Sequence, residues 1–291
     1  MTLTTTETPA ERRKTWRSPA GAISEHWQFL PEARCWAHDE YAVKKAADLP
    51  VLLDIFERMR FKACPGIYAR LDEWIGSAGL PLAPAPRSPL PALLADWCGV
   101  ENTVFLLADH PGLVVEVLSA IDRANDGAFA AVLASPCDLV HFCDNLDSSA
   151  STSYFDALMR DYYEKRVAQL HRAGKHAVVH LDGRVRGLLP RLAACGFDGV
   201  ESITPLPVGD VSIEELRGLA GNQSTILWGG IPGAMFCSPW ELDDVRRHMR
   251  RLLDCLAVGG RLIVGSADQI PPNGNLDYCR MIADVIDEWA G

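Results

Sequence analysis

From about residue 139 onward, the chain alternates between short apolar runs and longer amphipathic stretches. The apolar runs have the length of strands, and each stretch that follows has apolar residues at helical spacing, most of them ending at a glycine. Alternating strands and helices of this kind are typical of a parallel sheet with helices packed outside it. The strands predicted in this way are 139–145, 176–182, 197–203, 224–229 and 261–266.

The upstream half adds a helical lead-in to this regular pattern. Asp48 and Pro50 are typical of a helix start, and apolar residues recur at helical spacing as far as Met59. The polar residues 1–25 are expected to form a loose segment, followed by one domain over 26–291. The length fits an α/β fold of the (β/α)8 TIM-barrel type, and an open doubly wound sheet is the alternative.

Polar side chains recur where the predicted strands end. In a parallel barrel the C-terminal strand ends converge on one mouth, and therefore we expect these side chains to lie near one another. A carboxylate at one strand end is typical of a helix cap, but ionisable groups at successive ends favour a site. The polar strand ends are Asp144 with Asn145, His180 with Asp182, Glu201 with Thr204, and Ser266 with Asp268.

The spacing of His180 and Asp182 places both side chains on one face of an extended strand, because the side-chain period is two. Together with Glu201 from the next strand, they can bind a divalent metal or form an acid–base set. Asp144 is a further catalytic candidate, and Asp268 a further metal ligand. His141 and Cys143 have the same spacing, but His141 lies deeper in its strand, and the pair is not favoured as metal ligands.

Candidate substrate-binding residues surround these groups. Arg184 and Arg186 follow Gly183 and either hold a substrate carboxylate or are solvated residues at a helix start. The other substrate candidates are Asn145, Thr204 and Tyr163, although the position of Tyr163 in a long helix is typical of core packing.

Composition and charge exclude several classes of protein. The chain has 291 residues and a net charge of −10, which argues against nucleic acid or an anionic membrane as the main partner. The nine cysteines are odd in number, and none form a CxxC pair, so we expect reduced thiols in a cytoplasmic protein. The sequence shows neither a signal-peptide pattern nor an apolar run of membrane-spanning length.

These motifs, taken in order, resemble the uroporphyrinogen decarboxylase-like superfamily, which includes cobalamin-dependent methyltransferases and is similar to cobalamin-independent methionine synthase. The resemblance covers about 40–291 and implies a barrel with its site at the C-terminal mouth. The motifs that carry it are Asp144-Asn145, Asp161-Tyr162-Tyr163, His180-Leu-Asp-Gly183, Gly196-Phe-Asp-Gly-Val-Glu201, Trp228-Gly-Gly230 and the final strand before Asn275.

The chain departs from both branches of that superfamily. It lacks the arginine-rich N-terminal motif by which the decarboxylases grip tetrapyrrole carboxylates. The zinc methyltransferases also have a histidine at the position of His180, but they have a cysteine where this chain has Asp182. The methionine synthases place a glutamate ligand at the position of Glu201. The zinc methyltransferases have a second cysteine near the last strand, where this chain has Ser266-Ala-Asp268. The resemblance therefore implies a metal, such as zinc, with His180 and Glu201 as candidate ligands. Asp182 and Asp268 are inferred as further ligands, because they stand where the relatives have cysteines.

Three hypotheses about function follow. The first is a methyltransferase-like enzyme that acts on a small methylated substrate, with a metal at the mouth and a corrinoid supplied by a partner protein. The second is a metal-independent decarboxylase or other lyase, in which Asp144 and Asp182 stabilise a protonated intermediate and the arginines hold carboxylates. The third is a non-catalytic relative that binds a ligand. An oligomer is compatible with each.

Overall fold

A computed structural model describes residues 1–64, 66–221 and 223–291, without the side chains of Ala69 and Asp72. The chain forms two compact units, Met1–Asp138 and Leu139–Gly291. The boundary between these units lies within the single domain predicted over 26–291. Each unit is compact by itself, and the extent of that domain stays a prediction.

The first unit begins with a four-stranded antiparallel sheet. Its strands, in the order β1-β2-β3-β4, are Thr2–Glu7, Glu11–Ser18, Gly21–Leu30 and Cys35–Glu40. The prediction of a loose segment over 1–25 is therefore wrong. Threonine-rich segments favour extended backbone, and charged partners stabilise the ladder across strands, as between Lys14 Nζ and Glu25 Oε1 at 3.1 Å.

Helices make up most of the remainder of the first unit. The predicted helix near Asp48 is confirmed and buries Leu52 and Ile55. It packs against the longest helix of this unit, which buries Val117 and Ile121. The elements are α1 (Leu49–Arg58), α2 (Gly66–Ile75), β5 (Leu82–Pro84), α3 (Pro89–Ala92), α4 (Val100–Asp109) and α5 (Pro111–Leu133).

The second unit confirms the predicted alternation of strands and helices. Its strands are β6 (Leu139–Leu146), β7 (His176–Leu181), β8 (Gly199–Ile203), β9 (Ile226–Pro232) and β10 (Leu262–Ala267). Each pairs in parallel with the next along the chain. Within the described residues no ladder joins β6 to β10, so the sheet of this unit is not closed.

The helices of the second unit follow the strands in turn. They are α6 (Ser148–Leu158), α7 (Arg160–Arg172), α8 (Leu189–Ala194), α9 (Ile213–Leu219), α10 (Leu242–Leu256) and α11 (Asp277–Ala290). Ser212 and Glu215 form the predicted capping box at the start of α9. Among the described residues, no helix is both long and apolar enough to cross a membrane.

Strand β6 shows how the two faces of this sheet differ. Val140, Phe142 and Leu146 alternate along the strand and are buried, whereas His141 and Cys143 point to the other face and are half-buried. The apolar face packs into the helix layer, because burial of such side chains stabilises by about 1.5–3 kcal/mol each. The half-buried face is the one available to a ligand.

Gly209, in the loop between β8 and α9, holds the ends of two strands close together. A Cβ added at Gly209 would lie 1.8 Å from the Thr204 carbonyl oxygen and 3.1 Å from that of Gly183. We expect Gly209→Ala to destabilise the chain by about 2 kcal/mol or more, because the backbone must move to relieve this overlap. Thermal unfolding followed by circular dichroism measures the effect.

The matched control is Gly218→Ala on α9, where an added Cβ meets nothing within 4 Å. Alanine in an exposed helix is about 0.5–1 kcal/mol better than glycine, and we expect this variant to unfold at the same or a higher temperature. Equal unfolding temperatures for Gly209→Ala and the unaltered chain would contradict the proposed close approach.

Candidate functional site

Parallel pairing brings the polar ends of β6, β7 and β8 onto one face of the sheet. His180 is the partner of Glu201 in the β7–β8 ladder, and His141 is the partner of Val178 in the β6–β7 ladder. Since side chains alternate with a period of two, His141, Val178, His180 and Glu201 share a face. The prediction that His180 and Glu201 lie close together is confirmed.

The imidazole of His180 lies between two carboxylates. Its Nδ1 is 2.5 Å from Oε2 of Glu201, and its Nε2 is 2.9 Å from Oδ1 of Asp182. The His180 side chain is only 13% exposed, so these contacts are largely shielded from water. Asp182 and Glu201 therefore occupy opposite edges of the same ring.

Glu201 also contacts a second histidine. The Oε2 atom that faces His180 lies 3.3 Å from Nε2 of His141. The other ring nitrogen of His141, Nδ1, lies 3.0 Å from Sγ of Cys143. Cys143, His141, Glu201, His180 and Asp182 thus form a continuous row across three strands, which we call the strand-end row.

Asp182, at the outer end of the strand-end row, is held by two further side chains. The amide of Asn145 donates to Oδ2 of Asp182 over 3.3 Å, and the hydroxyl of Ser202 donates to its Oδ1 over 3.3 Å. Asn145 and Ser202 both have left-handed backbone, with φ of 50° and 68°. Asparagine tolerates this conformation well, whereas serine adopts it less often, which is typical of strain kept at a functional site.

Opposite charges along the row shift its pKa values in opposite directions. Burial would lower the pKa of His180, but the adjacent carboxylates of Asp182 and Glu201 outweigh it and raise that pKa to about 10. Burial would also lower the pKa of His141, but Cys143 and Glu201 outweigh this effect and raise that pKa to about 9. Burial would raise the pKa of Glu201, but His141 and His180 lower it to about 2.

The four predicted metal ligands do not meet at one point. Two overlapping groups, each with donor atoms within 4.8 Å of one another, share His180. One group is His141, His180 and Glu201, and the other is His180, Asp182 and Asp268. Imidazole and carboxylate are ligands that Zn²⁺ and other divalent cations accept, and either group fits such an ion.

The structure places Asp144 and Tyr163 outside the strand-end row, and their predicted catalytic and substrate-binding roles stay predictions. Asp144 is in phase with Val140 and Phe142 on β6 and is only 2% exposed. The hydroxyl of Tyr163, on α7, donates to Asp144 Oδ2 over 2.8 Å. Asp144 thus belongs to the buried face of β6, and the Tyr163 side chain of α7 packs against that face.

Two other substrate candidates are also engaged in the fold. Nη2 of Arg186 donates to Glu215 Oε1 over 2.9 Å at the start of α9, and its predicted role at the substrate stays a prediction. Thr204 is buried, and its hydroxyl donates to the Ser202 carbonyl over 3.0 Å. Arg184 has an exposed side chain beside Gly183 and stays a candidate.

His141 belongs to the strand-end row although it lies deeper in its strand than the polar end. The signal that identifies it is phase, because His141, Cys143 and Asn145 alternate with the apolar residues of β6 and must face away from the helices.

Comparison with known proteins places this chain in a family. The model of the family described as Uroporphyrinogen decarboxylase (URO-D) matches residues 91–289, which is most of the chain. The protein belongs to this family of enzymes, whose α/β barrel fold class agrees with the parallel strands and helices of the second unit. No curated protein matches the sequence.

Two solved structures are similar over most of the chain. One, from Listeria monocytogenes, is provisionally designated a vitamin-B12-independent methionine synthase; it is 13% identical, with 80% of this chain and 71% of that chain covered and a TM-score of 0.43. The other, from Streptomyces avermitilis, is provisionally designated an orotidine 5′-phosphate decarboxylase; it is 14% identical, with coverage of 76% and 75% and a TM-score of 0.40. Neither likeness defines the reaction of this chain.

The variant Tyr163→Phe tests whether the buried face of β6 takes part in metal binding. Because the buried Asp144 carboxylate would lose a donor, we expect a loss of about 1–3 kcal/mol in the free energy of unfolding. Affinity for Zn²⁺ should not change. Tyr154→Phe, at a half-buried position on α6, is the matched control for both measurements. A loss of Zn²⁺ affinity in Tyr163→Phe would return Asp144 and Tyr163 to the site.

The shifted pKa values predict how pH changes the stability of the metal-free chain. A histidine whose pKa is raised on folding stabilises fully below its unfolded pKa of about 6.5 and loses this contribution as pH rises through about 10. Glu201, with its pKa lowered, stabilises above about 4.3 and loses this contribution as pH falls through about 2.

We therefore expect the unfolding temperatures of the unaltered chain and His180→Gln to differ most between about pH 5 and 6.5. The difference should shrink steadily as pH rises toward 10. Differential scanning calorimetry without added metal measures it at each pH. A difference that stays constant from pH 6 to pH 10 would show that His180 is not a cation held by the two carboxylates.

Proposed function

We propose that this protein is a barrel enzyme that transfers a methyl group from or to a small substrate, using a divalent metal at the C-terminal strand ends. The observation that carries the proposal is the position of His180 with Glu201 at one ring nitrogen and Asp182 at the other. These groups come from β7, its C-terminal end and the adjacent strand β8, as the site of a parallel barrel requires.

The residues of the site fit a divalent cation. His180 and Glu201 offer an imidazole nitrogen and a carboxylate oxygen, and they belong together to one of the two groups of clustered donors. When bound, a metal with these ligands supplies a Lewis acid that polarises the methyl donor or activates the acceptor. Carboxylates in place of thiolates make that metal more Lewis-acidic and less suited to activating a thiol.

Other side chains would hold and orient these ligands and the substrate. Asp182 fixes the ring of His180, and it is itself held by Asn145 and Ser202. Arg184, exposed beside the turn at Gly183, provides a positive charge for a carboxylate of the substrate. In this proposal the Asn145 amide, also exposed, supplies a further hydrogen bond to the substrate.

The proposed partners are a small molecule and, for one half of the methyl transfer, a corrinoid protein. A corrinoid is proposed in trans because the superfamily that the sequence resembles contains cobalamin-dependent methyltransferases. The excess of acidic residues, with a net charge of −10, does not favour nucleic acid as a partner.

A metal-independent lyase is the second candidate, and one observation favours it. With its pKa raised to about 10, His180 carries a proton at neutral pH and can act as a general acid. Loss of carbon dioxide leaves a carbanion that such an acid can protonate. In this version Asp182 lies beside the acid, whereas the buried position of Asp144 on the other face of the sheet does not support a role for it there.

The test begins with metal. We expect untagged protein, stripped with a chelator and titrated with Zn²⁺, to bind the ion, and His180→Ala to lose at least about 100-fold in affinity, because a ligand is removed. His176→Ala is the matched control, since His176 lies on the same strand with a side chain that is 64% exposed. Calorimetric titration gives both affinities.

The methyl-transfer step is then measured with cobalamin as the probe. Methylated amines, ethers and thiols are offered with cob(I)alamin, and the visible spectrum reports methylcobalamin formation. Activity that requires Zn²⁺ and is lost in His180→Ala supports the proposal. If the unaltered chain binds no metal, and His180→Ala keeps whatever activity is found, the metal-dependent proposal is wrong and the lyase is favoured. Ligand binding without turnover would favour a non-catalytic relative.

A further inference from the structure

One oxygen of Glu201 faces two imidazoles at once. Oε2 lies 2.5 Å from Nδ1 of His180 and 3.3 Å from Nε2 of His141. In a tetrahedral site with bonds of about 2.0–2.1 Å, donor atoms lie about 3.3 Å apart. The His141–Glu201 distance already has this value, and the donor atoms of all three residues lie within 4.8 Å of one another, so the group can surround one ion.

We propose that His141 is a ligand of the metal, together with His180 and Glu201, and that Cys143 is the residue that positions His141. This inference rests on the metal-binding function proposed above and specifies its ligands. It selects His141, on β6, in place of Asp182 and Asp268, and it gives the cysteine of the strand-end row a defined role.

The partners of the two rings support this assignment. Ligand histidines almost always donate the N–H of the other ring nitrogen to a nearby acceptor, which fixes the tautomer and the orientation of the ring. With Nδ1 of His180 directed at the metal, its Nε2–H points to Asp182 Oδ1 at 2.9 Å. With Nε2 of His141 directed at the metal, its Nδ1–H points to Cys143 Sγ at 3.0 Å. Each histidine therefore has a metal-facing and a supported nitrogen.

The same geometry keeps the sulfur off the metal. Cys143 contacts Nδ1 of His141, whereas the nitrogen that faces Glu201 is Nε2 on the opposite side of the ring. Cys143 supports the ligand histidine from behind, as Asp182 and its partners Asn145 and Ser202 support His180. The site thus contains two nitrogens and one oxygen, with no thiolate.

Burial favours this group over the alternative that contains Asp268. The side chains of His141, His180 and Glu201 are 15%, 13% and 18% exposed. Asp182 is 26% exposed, and Asp268 is an exposed residue. A half-buried set with one carboxylate binds an ion with less competition from water than a set whose two carboxylates are more exposed.

The proposed set has a consequence for the choice of metal. Two histidines and one carboxylate leave coordination positions open for substrate, as in catalytic zinc sites and in iron(II) sites of similar composition. Thiolates select Zn²⁺ strongly, and their absence widens the range of ions accepted. We expect Co²⁺ to bind without the strong near-ultraviolet sulfur-to-metal absorption that a thiolate ligand produces.

The experiment compares matched variants of the full chain by titration with Zn²⁺ alone. We expect His141→Gln to weaken binding at least about 100-fold, and Cys143→Ala to weaken it about 10-fold, as losses of a ligand and of its support. Cys143→Ser should bind nearly as the unaltered chain does, because a hydroxyl can also accept from Nδ1–H. Asp268→Asn and the control His176→Gln should bind as the unaltered chain does.

Circular dichroism and thermal unfolding confirm that each variant is folded before titration. Because Asp268→Asn alters an exposed side chain, it keeps the test informative even if His141→Gln does not fold. Unchanged affinity in His141→Gln, reduced affinity in Asp268→Asn, or a sulfur-to-cobalt band that disappears in Cys143→Ser would each overturn this ligand assignment. Absence of Zn²⁺ binding in the unaltered chain would instead overturn the proposed function itself.

Discussion

The site depends on the imidazole of His180, which is held at both ring nitrogens by carboxylates. A buried imidazole and a buried carboxylate are each costly alone, but in contact they stabilise one another's charged forms. Glu201 provides one such contact and Asp182 the other, at 2.5 and 2.9 Å. Because Glu201 is shared with His141, the whole strand-end row forms one coupled electrostatic unit. A divalent ion would take the place of the protons that otherwise hold this row together.

The sheet makes this arrangement possible. Parallel pairing aligns His180 with Glu201, and the period of two carries Asp182 and His141 to the same face. The left-handed residues Asn145 and Ser202 lie at the neighbouring strand ends, and their side chains both donate to Asp182. Gly209 then allows the loop after β8 to approach the Thr204 carbonyl, which keeps these ends together. Backbone geometry and side-chain chemistry therefore serve the same site.

Much of this arrangement can be read from the sequence, and the reasons for the failures are physical. His180, Asp182 and Glu201 could be predicted because strand ends and a spacing of two are local signals. Asp144 lies apart from these residues because it shares the phase of Val140 and Phe142, which its place at a strand end does not reveal. The start of the N-terminal sheet could not be predicted because β1 and β2 are mostly polar on both faces, so no hydrophobic alternation marks them. The split of the predicted ligands into two groups depends on ring orientation, which no sequence pattern encodes.

We propose that a metal binds between histidines and a carboxylate at these strand ends. X-ray absorption at the zinc edge of the loaded, untagged protein tests it most directly, because it reports the atoms around the ion without any assumption about substrate. We expect only nitrogen and oxygen neighbours at about 2.0–2.2 Å, with the outer scattering of two imidazole rings. A sulfur neighbour at about 2.3 Å, or a shell without imidazole, would contradict it.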